Sequence, residues 1–137
     1  MVQESVRARG GVVAAPHMAA AEAGREVLKD GGNAVEAAIA TAAAIAVAYP
    51  HMNNLGGDGF WLIRERSGKV RYIEACGPAG ARATRELYRE HELERIPERG
   101  PLAALTVPGA VGGWMLALEA AKAVSYTHLT LPTILLV

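Results

Sequence analysis

The chain has little of what small proteins commonly use to build a core or a site. Cys76 is the one cysteine in 137 residues, which excludes an internal disulfide framework and a cysteine-based zinc site and fits a reducing, cytoplasmic compartment. Aromatic residues make up 5% of a chain that is 51% hydrophobic. Alanine and glycine supply much of that apolar count, so close backbone packing takes the place of a core of large side chains. An excess of either charge is also missing. Lys+Arg and Asp+Glu both number 14, for a formal net charge of zero, and no electrostatic footprint for nucleic acid or an anionic membrane is visible.

Long apolar runs are absent as well. The longest, Ala34 to Tyr49, is interrupted by Glu36 and is shorter than the roughly 20 residues that cross a bilayer. A buried helix is expected there, and no membrane partner. Near the N-terminus Glu4, Arg7 and Arg9 stand where a secretory signal needs an apolar stretch, so no targeting segment is expected.

Several catalytic patterns are missing too. His17, His51, His91 and His128 include no i, i+4 pair of the kind that sets two metal ligands on one helix face. Ser5, Ser67 and Ser125 lie outside any GxSxG-like elbow. The loop Asn54-Leu55-Gly56-Gly57-Asp58-Gly59 has neither a Lys-Ser/Thr ending nor GxGxxG spacing, so it reads as a turn rather than a phosphate cradle, with Asp58 as its cap. Cys76 has no activating neighbour in sequence and reads as an ordinary thiol. No metal and no cofactor is expected.

What is present is a clear order of elements. Gly11 to Ala15 is a β-prone run stopped by Pro16, and Met18 to Asp30 has helix-forming composition. Glu22 with Arg25 and Glu26 with Lys29 are spaced to pair on its solvated face, and Gly31-Gly32 supply a left-handed stop. Asn33 followed by Glu36 has capping-box spacing, so a second helix starts at once and runs to Tyr49, before Pro50. Small residues on nearly every side suit it to a place between layers, and the two helices are expected to form a tight hairpin. A β-hairpin follows from about Gly59 to Ala75, turning at Arg66-Ser67-Gly68. Then come a short helix at Arg85 to Glu92, a loop, an extended step at Thr106 to Pro108, and a helix from Gly109 to Ala123.

At Val124 the composition breaks. VSYTHLTLPTILLV holds no Asp, Glu, Lys or Arg and resembles the translation of a sequencing adapter. The expected division is therefore residues 1–123 as one unit and 124–137 as a non-native tail.

The string GGVVAAPHMAAAEAGREVLKDGGNAVEAAIATAAAIAVAYPHMNNLGGDGFWLI resembles the opening of the γ-glutamyltransferase family. The landmarks are the GGNAVEAA junction at Gly31 to Ala38, Pro50, and the LGGDGF turn at Leu55 to Phe60. The likeness continues through RYIEACGPAGARATRELY and LTVPGAVGGW at Leu105 to Trp114. It implies an α+β fold, here the front part of the large subunit in an αββα N-terminal-nucleophile hydrolase sandwich. It also implies two subunits made by self-cleavage of one precursor. The family nucleophile is a threonine at the new N-terminus of the small subunit, whose own α-amine activates the hydroxyl. Thr41, Thr84 and Thr106 do not sit in the cleavage motif, so no catalytic residue is assigned to this chain and the small subunit is an expected partner.

The resemblance also bears on substrate. In γ-glutamyl enzymes the segment matching Ile73 to Ala81 carries an arginine that binds the α-carboxylate of the glutamyl group, a task suited to a bidentate guanidinium. Aligned without gaps through Thr84 and Tyr88, that position is Cys76, which a thiol cannot fill in charge. The Gly56-Gly57-Asp58 form of the turn is similar to the family's amidohydrolase and acylase branch. A γ-glutamyl or other acyl-amide substrate is therefore expected, cleaved or transferred. The alternative is a non-catalytic binding module that keeps the front of the fold.

Overall fold

The computed structural model describes residues 7–103 and 106–122. Within them lie α1 (Met18–Lys29), α2 (Ala34–Ala48), β1 (Gly59–Arg64), β2 (Val70–Ala75), α3 (Arg85–Glu90) and α4 (Ala110–Lys122). The expected tail at 124–137 and the residue Ala123 lie outside the described residues.

α1 begins at His17, whose Nδ1 accepts from the amide of Ala19 at 3.2 Å. Glu26 gathers both basic neighbours, Arg25 at 2.9 Å and Lys29 at 3.1 Å. The expected Glu22–Arg25 contact is thus replaced by one between sequence neighbours, a small change because exposed pairs contribute little. The helix closes through Gly31 at φ 92, with the amide of Gly32 donating to Val27 O at 2.8 Å, so the carbonyls of the last turn find partners.

Asn33 then opens α2. Its Oδ1 accepts from the amides of Val35 at 2.9 Å and Glu36 at 3.1 Å, and Glu36 Oε2 accepts from the Asn33 amide at 2.8 Å. Three amides of the junction are thereby satisfied within the four residues 33–36. The helices meet at Gly24, which is buried. A Cβ there would overlap Thr41 Oγ1 and stand 2.9 Å from Ala37 O, so only glycine permits this approach. Thr41 Oγ1 donates to Ala37 O at 2.8 Å, which satisfies the hydroxyl within its own helix.

β1 and β2 pair antiparallel, with Trp61 opposite Ile73 and Gly59 opposite Ala75. Gly68 at φ 88 makes the turn, and Arg71 Nε donates to Glu65 across its base. Side chains alternate along each strand. Trp61, Ile63, Ile73 and Ala75 face α4, where the buried Gly113 lets the helix approach Ala75 and Trp61. α4 also touches α2. The other face of the ribbon carries Phe60, Leu62, Val70 and Tyr72, all exposed, Leu62 to 77%.

Alanine dominates the interior, as the composition implies: Ala20, Ala37, Ala75, Ala110 and Ala117 are buried together with Ile45 and Leu118. No described helix is long and apolar enough to cross a membrane.

Two expectations change. Gly11 to Ala15 is not a strand. It alternates in exposure, Val13 and Ala15 turned inward, but has no ladder partner among the described residues, and a strand exists only by pairing. α3 stops at Glu90 rather than Glu92, because Glu92 takes a left-handed φ of 55 and the amide of Leu93 donates back to Tyr88 O at 2.9 Å.

Candidate functional site

Three stretches distant in sequence converge at the open end of the hairpin. The first is the loop that ends in Gly57-Asp58-Gly59, the second is the exit of β2 from Cys76 to Ala79, and the third runs from Thr106 into α4. The amides of Gly109 and Ala110 donate to Gly57 O at 3.1 and 3.0 Å, so the loop carbonyl caps the start of α4. The amide of Val107 donates to Pro78 O at 3.1 Å, and Thr106 bridges to Ala79.

Cys76 sits at this junction, half-buried. Since Gly59 opposes Ala75, the next step of the register sets Asp58 across from Cys76. The Cys76 thiol donates to Glu74 Oε1 at 3.2 Å. That bond, then partial burial, then the charges of Glu74 and Asp58 push the thiol above its ordinary pKa. It is held protonated, the opposite of an activated nucleophile. Tyr72, on the same face, is raised in turn by desolvation and then by the charge of Glu74. The field here is negative, and among the described residues no lysine or arginine forms an ion pair with Glu74 or Asp58.

Asp58 departs from its expected role. Its Oδ1 accepts from Thr106 Oγ1 at 3.3 Å, a partner 48 residues away, rather than from an amide of its own loop. The carboxylate therefore ties the loop to another segment. On its other side the loop borders a cavity of about 360 Å³ lined by Ile45, Met52, Asn53, Trp61 and Trp114 among others. Cys76 and Glu74 are not part of that lining.

The remaining candidates have structural places. Thr41 bonds within α2, Thr84 accepts from Leu87 N at 3.4 Å at the start of α3, and Thr106 holds Asp58. His17 caps α1, His51 packs on Tyr49 with ring centres 4.1 Å apart, and His91 closes α3. Ser67 lies in the hairpin turn, against Glu65. Among the described residues no group of three His, Cys, Asp or Glu side chains is placed to hold a metal. His128, Ser5 and Ser125 lie outside the described residues.

Two members of the cluster were not placed beside Cys76 from the sequence. Glu74 was accessible in principle, since residues i and i+2 of a strand share a face. Thr106 was not, because nothing local links it to Asp58.

An alanine-lined helical hairpin, a two-stranded ribbon and α4 packed on its inner face form part of an N-terminal-nucleophile hydrolase fold. The γ-glutamyltranspeptidase family model matches residues 20–137, and the chain belongs to that family. It is 52% identical over 112 residues to the oxamate amidohydrolase proenzyme of Klebsiella pneumoniae, an overlap of 82% of this chain and 21% of that protein. It is 40% identical to the glutathione hydrolase proenzyme of Escherichia coli, over 83% of this chain and 20% of that one. The crystal structure of Helicobacter pylori γ-glutamyltranspeptidase superposes with a TM-score of 0.76 at 32% identity, covering 85% of this chain and 34% of that one. The chain thus spans about a fifth of the length of the curated relatives it matches.

Proposed function

We propose that this chain is the front of the large subunit of a self-cleaving amide hydrolase or acyltransferase, acting on acyl amides that lack an α-amino-acid head group. In this reading the nucleophile is a threonine exposed at the N-terminus of a small subunit cut from the same precursor. Its α-amine takes the hydroxyl proton, the oxygen attacks the amide carbonyl, and the C–N bond breaks as the leaving amine is protonated. Water, or another amine, then takes the acyl group from the threonine ester. Donors fixed on the developing oxyanion would supply much of the acceleration.

The observation that carries the substrate side is that, among the described residues, the charged groups acting on the Cys76 thiol are the carboxylates Glu74 and Asp58 and no cation. Where the family resemblance suggests a carboxylate-binding arginine, the described residues hold a protonated thiol, Glu74 and Asp58. A substrate α-carboxylate brought here would meet like charge and lose its water without a partner. Oxamate, named for the Klebsiella relative, is an amide without an α-amino-acid group, which supports the missing head group; it carries a carboxylate of its own beside the amide carbonyl, which in this reading is held away from Cys76. The test is kcat/KM of the full-length precursor product on oxamate-type and simple acyl amides against a γ-glutamyl amide. Preference for the first group is expected, and a clear γ-glutamyl preference would overturn the reading.

A further inference from the structure

The contacts at the open end of the hairpin are not equivalent. Backbone bonds join Gly57 to Gly109 and Ala110, and separately join Pro78 to Val107. Through these alone, the loop and the exit of β2 are each fastened to the 106–110 stretch but not across the gap between them. The Thr106–Asp58 hydrogen bond supplies the missing link, because Thr106 already bridges to Ala79 on one side and reaches Asp58 Oδ1 at 3.3 Å on the other. Asp58 faces Cys76 by register. Ribbon ends without such a tie open readily.

We propose that Thr106 and Asp58 form a latch across the open end of the β1–β2 ribbon and are positioning residues that fix the place and accessibility of Cys76. They act through Cys76 and do not touch substrate. The importance of that placement for acyl specificity rests on the function proposed above, but the latch itself is tested without any substrate. The Thr106 hydroxyl donates to the Asp58 carboxylate over a long 3.3 Å, and Asp58 also turns a negative charge toward the thiol. The latch therefore has two separable effects: the hydrogen bond controls opening, and the charge controls ionisation.

Cys76 is the only cysteine in the chain, so alkylation by iodoacetamide, followed by mass spectrometry from about pH 7 to about pH 11, past the raised midpoint of the thiol, reports on this place alone. Thr106→Val removes the donor at nearly constant shape and should raise the high-pH plateau rate by about threefold to tenfold, the opening change expected for one net hydrogen bond. Thr106→Ser keeps a hydroxyl and should restore the native rate. Asp58→Asn keeps an acceptor and should leave the plateau near native while moving the midpoint of the pH profile down. The latch is overturned if Thr106→Val alkylates at the native rate, if Thr106→Ser is as fast as Thr106→Val, or if the native chain already reacts as fast as in urea. None of these outcomes bears on acyl preference, and a γ-glutamyl preference in the full-length protein would leave the latch standing.

Discussion

Gly77 lies so close to the carbonyl of Val107 that a Cβ on it would overlap that oxygen. The contact is backbone against backbone, so no side-chain rotation relieves it. Gly77→Ala must therefore push the exit of β2 away from the 106–110 stretch, and a loss of about 1–3 kcal/mol is expected from overpacking of this kind. Chemical denaturation of the chain and its variant measures it, and an unchanged midpoint would show that the two segments do not meet as described.

The junction of α1 and α2 gives a second quantity. Asn33 Oδ1 accepts from two amides, and the Asn33 amide donates to Glu36 Oε2 in return. Asn33→Ala should cost about 0.5–2 kcal/mol, whereas Asn33→Asp should cost much less, because aspartate caps as well. Thermal midpoints of both variants check the order.

Acid should release the hairpin turn. The guanidinium of Arg71, hydrogen-bonded to Glu65, holds that carboxyl below the ordinary glutamate range, with Ser67 adding to the effect. A carboxyl lowered by folding stabilises the fold above its unfolded value, about pH 4.3. That contribution is lost as pH falls through the lowered folded value. Stability should therefore drop in this window for the native chain and more shallowly for Glu65→Gln. Parallel acid limbs would remove the pair from the account.

Phe60, Leu62, Val70 and Tyr72 leave an apolar face on the ribbon uncovered, and Val47 on α2 is 80% exposed. Apolar area of this kind marks a surface built to be covered. The purified chain should therefore bind an apolar fluorescent dye. It should also fail to hydrolyse a γ-glutamyl anilide, since Thr41, Thr84 and Thr106 are each held in structural bonds. Turnover above that of a heat-killed control would contradict this.

Local chemistry made most of the fold legible. The Asn33–Glu36 box, the Gly31-Gly32 stop and the Gly68 turn follow from spacings of a few residues, and the helices and hairpin fall within a residue or two of expectation. Gly11 to Ala15 misled because β-propensity describes a surface that suits pairing and does not supply the partner. Of the candidate site, Cys76 was legible only as the position that the family resemblance suggests. Its surroundings were not, because the tie from Asp58 to Thr106 spans 48 residues and leaves no periodic trace. The charge of the site was partly hidden for the same reason, since the negative field at Cys76 comes from Glu74 on β2 and from Asp58 on the loop before β1.

The central claim is that the place beside Cys76 does not serve a γ-glutamyl carboxylate, and one comparison tests it most directly. It is kcat/KM of the full-length protein and its Cys76→Arg variant on a γ-glutamyl amide and on a simple acyl amide. A charge-assisted bond to a carboxylate corresponds to about tenfold or more in binding. The native protein should favour the simple acyl amide, and Cys76→Arg should raise γ-glutamyl turnover by at least about that factor. A native protein that favours the γ-glutamyl substrate, with no gain from Cys76→Arg, would contradict the account.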